Sequence, residues 1–164
     1  RVSLLDSMNL WIEIANQELK DVMKQVDILI LNDGEVRMLA GEENLIVAAK
    51  AVLEMKNGGI LVVKKGENGV IAFHPEGMIS MPSFPTSNLV DPTGCGDSFA
   101  GSMAHYLSKN SGEVSREELA ESLVHATVTA SFTIESFGTE RIRKLSADEY
   151  ESRLLEYRSI TKTS

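Results

Sequence analysis

The chain has 164 residues, an apolar fraction of 43% and a formal net charge of −8 at pH 7. That length supports one domain with a real core, and an acidic chain with no Lys/Arg-rich run argues against a nucleic-acid partner held through phosphates. No apolar run approaches the ~20 residues that span a membrane and no signal-peptide pattern opens the chain, while the single cysteine, Cys95, leaves no internal disulfide and fits a reducing cytoplasm.

In chain order, Val2 to Leu5 reads as a buried strand ending at Asp6. Because the sequence starts at Arg1, within that expected strand and without Met, it reads as a segment of a longer protein. Apolar residues at 11, 14, 15, 19, 22, 23 and 26 predict one helix over Trp11 to Val26. Trp11 and the scattered methionines read as core or interface filler. Asp27 to Leu31 is a continuous apolar run behind one charge, the pattern of a central parallel strand. Asn32-Asp33-Gly34 breaks it, and Glu35 to Ala40 predicts a short helix closed by Gly41. Asn44 to Lys56 predicts an amphipathic helix, followed by a strand over Ile60 to Lys64. The turns at Lys65–Gly69 and Pro75–Gly77 flank Val70–His74 and lead into Met78–Met81, which predicts antiparallel pairing.

A loop with Pro82 and Pro85 then leads to Val90-Asp91-Pro92-Thr93-Gly94-Cys95-Gly96-Asp97, with a small-residue helix expected over Ser98 to Leu107. Gly94 and Gly96 leave backbone N–H groups open to an anion, and a helix N-terminus behind them adds partial positive charge. The plainer reading is a glycine turn with Asp97 as helix N-cap. The third glycine falls at 101, so the dinucleotide fingerprint is missing, as is a Gly-Lys-Ser/Thr phosphate loop. Asn110-Ser111-Gly112 reads as a loop, and Ser115-x-x-Glu118 and Ser146-x-x-Glu149 read as capping boxes opening two further helices. His125 fits a helix surface or a packing role better than catalysis, with no second His or Cys at metal spacing. Alternating strands and helices followed by helices alone predict an α/β three-layer sandwich on a mostly parallel sheet.

The stretch Asp91 to Gly101 resembles the C-terminal signature of the ribokinase-like (PfkB) carbohydrate kinases, with Cys95 where that family has Ala. The resemblance runs from about Asp6 to Gly138 and implies the C-terminal, ATP-binding and catalytic portion of such an enzyme. It gives Asp97 the role of the base that takes the hydroxyl proton, and gives Gly94, Cys95 and Gly96 an anion hole of backbone amides. Asn32 and Glu35 match the family's Asn-x-x-Glu, which helps place Mg²⁺ and the phosphates, with Mg²⁺ contact expected mainly through water. Lys64, Gly66 and Gly69 match its nucleotide loop, with Lys64 where Thr is common. Thr127 falls where a polar adenine-pocket residue is expected, and Asp91, Thr93 and Gly138 lie in loops that in many members hold a monovalent cation such as K⁺.

The implied activity is transfer of the γ-phosphate of ATP to a primary hydroxyl of a carbohydrate. A nucleoside or vitamin-alcohol acceptor, or a nucleotide-binding module without chemistry, remains an alternative. The resemblance also implies an N-terminal half that supplies further strands, a β lid and most sugar contacts, with homodimers common in full-length members; the cysteine usage makes the expected location cytoplasmic. The segment alone is expected to be inactive.

Overall fold

The computed structural model describes residues 1–109 and 112–162. Five strands form one sheet in sequence order: β1 (Leu4–Asp6), β2 (Ile28–Asn32), β3 (Ile60–Lys64), β4 (Val70–His74) and β5 (Gly77–Met81). β1, β2 and β3 run parallel, and β4 is antiparallel to both β3 and β5. Four strands therefore share one direction, and the sheet is mostly parallel.

The alternation of side chains along a strand divides the core in two. Ile28, Ile30, Ile60 and Val62 face one way, onto Phe99 and Met103 of α5 (Cys95–Leu107) and Leu119 and Leu123 of α6 (Arg116–Thr133). Leu29, Leu31, Leu61 and Val63 face the other way, onto α2 (Asn16–Met23), α3 (Asp33–Ala40) and α4 (Leu45–Met55). β2 and β3 are covered on both faces, which is why their sequences are unbroken aliphatic runs. The result is a three-layer α/β sandwich. A third apolar cluster joins α6 to α8 (Ala147–Thr161) through Val124, Val128, Phe132, Leu154 and Tyr157. The short α7 (Glu140–Arg143) lies between them in sequence.

Three expectations need correction. The helix predicted over Trp11 to Val26 is two, α1 (Asn9–Ile14) and α2, broken at Ala15, whose φ of −141° and ψ of 42° are not helical. The Asn16 side chain donates to the Ile12 carbonyl at 3.1 Å, an alternative to the helix ladder that Asn offers readily. Of the two readings for Trp11 and the methionines, core fails for Trp11, 47% exposed, and for the exposed Met8, Met38 and Met78, and holds for the fully buried Met23 and Met103. α5 begins at Cys95, three residues earlier than predicted, and Asp97 lies inside its first turn rather than capping it. Both predicted capping boxes are present, at Ser115/Glu118 and Ser146/Glu149. Of the loop expected at 110–112, residues 110 and 111 lie outside the described residues. Among the described residues, no helix is long and apolar enough to cross a membrane.

Candidate active site

The chain enters α5 through Gly94, whose φ of +85° is left-handed and suits a residue without Cβ. The Cys95 amide donates to the Pro92 carbonyl at 3.1 Å, so it is not free for an incoming anion. This corrects the expected anion hole. Among the described residues, the amides left without a protein acceptor at this helix start are those of Gly94, Gly96 and Asp97. The first turn of a helix has no carbonyls ahead of it to accept from its N–H groups, so this set follows from where α5 begins. The Asp97 side chain is exposed to solvent beside them.

Hydroxyls fix this helix against α6. Thr133 Oγ1 donates to Ser98 Oγ at 2.7 Å, Ser98 Oγ to the Cys95 carbonyl at 3.1 Å, and Thr129 Oγ1 to Ser102 Oγ at 3.0 Å. The Cys95 thiol lies 3.7 Å from the Ala130 carbonyl, and burial, aided by the Asp91 charge, pushes its pKa up. Both causes disfavour the thiolate, the nucleophilic form.

At the C-terminal ends of β1, β2 and β3 a second group of polar side chains meets α5. Lys64, the last residue of β3, gives its ammonium to both oxygens of Asp6, the last residue of β1, at 2.9 and 3.0 Å. A Cβ on Gly96 would lie 3.1 Å from that ammonium and 4.0 Å from Asp6 Oδ2. Lys64 therefore stands next to the free amides, and Gly96 lacks a side chain where the ammonium needs the space. Asp6 was not a candidate from the sequence. Its only signal there is an acidic residue ending a strand at the sheet edge where open α/β folds bind ligands.

Asn32 and Glu35 occupy the end of β2 and the start of α3. Asn32 Oδ1 accepts the Glu35 amide at 2.8 Å, and Glu35 Oε2 accepts the Asn32 amide at 2.7 Å, a reciprocal cap. Glu35 is only 4% exposed. Burial pushes its carboxyl up, opposed by the Asn32 amide and the Lys64 charge and reinforced by Asp6. One oxygen is thus committed to the cap, and the other carries no hydrogen bond within the described residues. Among the described residues, no three His, Cys, Asp or Glu side chains converge to hold a metal ion.

The remaining candidates separate. Gly66 and Gly69 bracket a single 3₁₀ turn (Gly66–Asn68) between β3 and β4. A Cβ on Gly66 would meet nothing, but one on Gly69 would lie 2.1 Å from the Met81 carbonyl oxygen. Gly69 is thus required by packing of the hairpin. Asp91 Oδ1 accepts the Thr93 amide at 2.9 Å, and that bond with the Thr93 hydroxyl holds the Asp91 carboxyl below its usual range. The amides of Val90 and Asp91 both donate to the Ile134 carbonyl, which ties this loop to the segment carrying Gly138, itself at φ +56°. Thr127 is 7% exposed, with its hydroxyl beside the Tyr157 phenol, whose pKa burial raises. The structure places Thr127 at the contact of α6 with α8. His125 packs, with ring centroids 5.0 Å from Tyr106 and 6.0 Å from Tyr150 and its Nδ1 2.7 Å from the Tyr150 hydroxyl.

A family model described as pfkB family carbohydrate kinase matches residues 3–144. The chain belongs to the pfkB family. Among curated family members, a cytidine kinase from Thermococcus kodakarensis is 34% identical over 85 residues, 51% of this chain and 30% of that protein. Two solved structures agree with the fold. The aminoimidazole riboside kinase of Salmonella enterica, complexed with aminoimidazole riboside and an ATP analogue, superposes with a TM-score of 0.77 at 20% identity, covering 92% of this chain and 51% of that one. A double-mutant fructokinase from Vibrio cholerae O395, bound to fructose, ADP and a potassium ion, gives 0.78 at 16%, covering 92% and 49%. The chain thus spans about half the length of these two solved structures and 30% of the cytidine kinase. Its relatives are kinases of sugars and nucleosides.

Proposed function

We propose that this chain is the nucleotide-binding and phosphoryl-transfer part of a pfkB-family kinase that moves the γ-phosphate of ATP to a primary hydroxyl of a sugar or nucleoside. The observation that carries the reading is the conjunction at the start of α5: unpaired amides at Gly94, Gly96 and Asp97, the exposed Asp97 carboxylate and the Lys64 ammonium beside Gly96. Helix-start amides and a cation suit a polyphosphate, and the carboxylate suits an alcohol nucleophile.

In the proposed reaction the acceptor oxygen forms a bond to the γ-phosphorus as the bond to the ADP oxygen breaks. Asp97 takes the hydroxyl proton, which can leave late because the transition state is loose. The three amides and Lys64 meet charge on the transferring oxygens. Mg²⁺, when bound with the nucleotide, would neutralise the phosphates, with Glu35 and Asn32 acting on it through water. The loop of Asp91 and Thr93 and the segment of Gly138 are the proposed place for a monovalent cation; the similar fructokinase structure holds a potassium ion.

The acceptor is found by supplying labelled ATP and Mg²⁺ to the full-length protein with a panel of sugars, nucleosides and vitamin alcohols. Label should pass to one class of primary alcohol. The 164-residue chain alone should bind ATP but transfer nothing, as a chain that spans about half the length of the solved structures it matches. ATP binding by the full-length protein with no acceptor labelled anywhere in the panel would overturn the kinase reading in favour of a binding module.

A further inference from the structure

We propose that Asp6 is a positioning residue for Lys64: its carboxylate holds the ammonium against Gly96, so that the free amides and one fixed cation form a single phosphate-binding surface. This deepens the kinase reading above and rests on it.

The geometry is unusual for a structural ion pair. β1 and β3 are not neighbours, because β2 lies between them, and strands two places apart are separated by about 9.6 Å. The Asp6–Lys64 bridge therefore arches over the end of β2 and joins residues 58 apart in sequence. Only a long side chain at position 64 can make that reach. Asp6 is itself fixed, since its Oδ1 accepts the Ser7 amide at 3.1 Å as well as the ammonium. The ammonium is gripped by both carboxylate oxygens, leaving the third of its three donors unused. The Lys64 and Asp6 side chains are 18% and 23% exposed, so they are sheltered but reachable from solvent. The contact to the Gly96 position supplies direction: the held ammonium sits at the helix start where the unpaired amides are.

The proposal makes an expectation opposite in sign to simple charge counting. Removing a carboxylate near a phosphate site should, by charge alone, tighten anion binding. If Asp6 positions Lys64, removing it weakens binding, because the freed lysine loses its fixed place and rotamer freedom must be given up again on binding.

The experiment measures MgATP and MgADP affinity of the 164-residue chain by calorimetry for the wild type, Asp6→Asn, Lys64→Ala and the double variant. Asp6→Asn is expected to weaken MgATP binding about tenfold when Lys64 is present and to change nothing when it is Ala. Asp6→Glu, which keeps the charge but moves it by one methylene, should fold and show an intermediate loss; it carries the test if Asp6→Asn does not fold. Unchanged or tighter binding in Asp6→Asn, or an equal loss in both Lys64 backgrounds, would overturn the proposal and leave the kinase reading standing. A wild-type chain with no affinity for MgATP would instead overturn both.

Discussion

On the proposed function, replacing Asp97 by Asn is expected to lower turnover by roughly three orders of magnitude, the middle of the range for loss of a positioned general base. Affinity for MgATP should change less than about threefold, because the amide set that meets the phosphates is made of main chain and survives the substitution. Stability should also be close to wild type. The Asp97 side chain is exposed and lies in the first turn of α5, where the charge contributes about 0.3–1 kcal/mol through the helix dipole. The variant is therefore informative: a folded protein that still binds nucleotide but has lost its base. Assays of phosphorylated product and nucleotide titrations on the same preparation check both halves. Turnover within about tenfold of wild type would remove Asp97 from the chemistry.

The second large effect is on stability. Gly69→Ala is expected to destabilise the fold by at least about 3 kcal/mol, the combined scale of an unfavourable backbone conformation and a steric clash. Gly69 has φ +83° and ψ −142°, and a Cβ there would lie 2.1 Å from the Met81 carbonyl oxygen and 2.7 Å from Pro82 main-chain atoms. Neither neighbour can yield cheaply. Met81 is paired with Val70 in the sheet, and the Gly69 carbonyl accepts the Lys65 amide at 2.8 Å. Gly66→Ala, at φ +55° with open space around it, should cost only about 1–2 kcal/mol. Urea melts of the two variants separate these outcomes, and equal small losses would show that the hairpin yields to a Cβ at Gly69.

Much of the fold is legible in the sequence because the decisive signals are local. The aliphatic runs at 28–31 and 60–63 are buried on both faces and could be little else than central strands. The Ser-x-x-Glu starts of α6 and α8 are visible because a capping box is made entirely within four residues. What the sequence conceals depends on contacts made across the chain, or on choices between equally allowed patterns. Nothing in the spacing of apolar residues 11 to 26 betrays the break at Ala15, which accompanies a side-chain hydrogen bond from Asn16 to Ile12. The pattern Asn32-x-x-Glu35 is at once a family motif and a capping box, and the side chains satisfy the second whatever they contribute to the first.

The site shows the same division. The stretch carrying Gly94 to Asp97 is prominent in the sequence, but which of its amides are free is decided by the Pro92 carbonyl, which takes that of Cys95, and by the helix starting early enough to expose that of Asp97. Asp6 carries no motif at all. It becomes a candidate only when β1 and β3 are brought to opposite sides of β2 and Lys64 reaches across. Thr127, placed by its distance from Gly138, lies in a helix contact whose partner Tyr157 comes from the end of the chain.

The central claim is that phosphate is received by the amides at the start of α5. Its most direct test is the amide spectrum of the ¹⁵N-labelled 164-residue chain during titration with MgATP, and in parallel with Mg²⁺ and adenosine. The account predicts the largest phosphate-dependent shifts at Gly94, Gly96 and Asp97, a smaller one at Cys95, whose N–H is already bonded to Pro92, and none of comparable size with adenosine. Saturable MgATP binding that leaves those three amides unmoved, or moves them no more than Cys95, would contradict it.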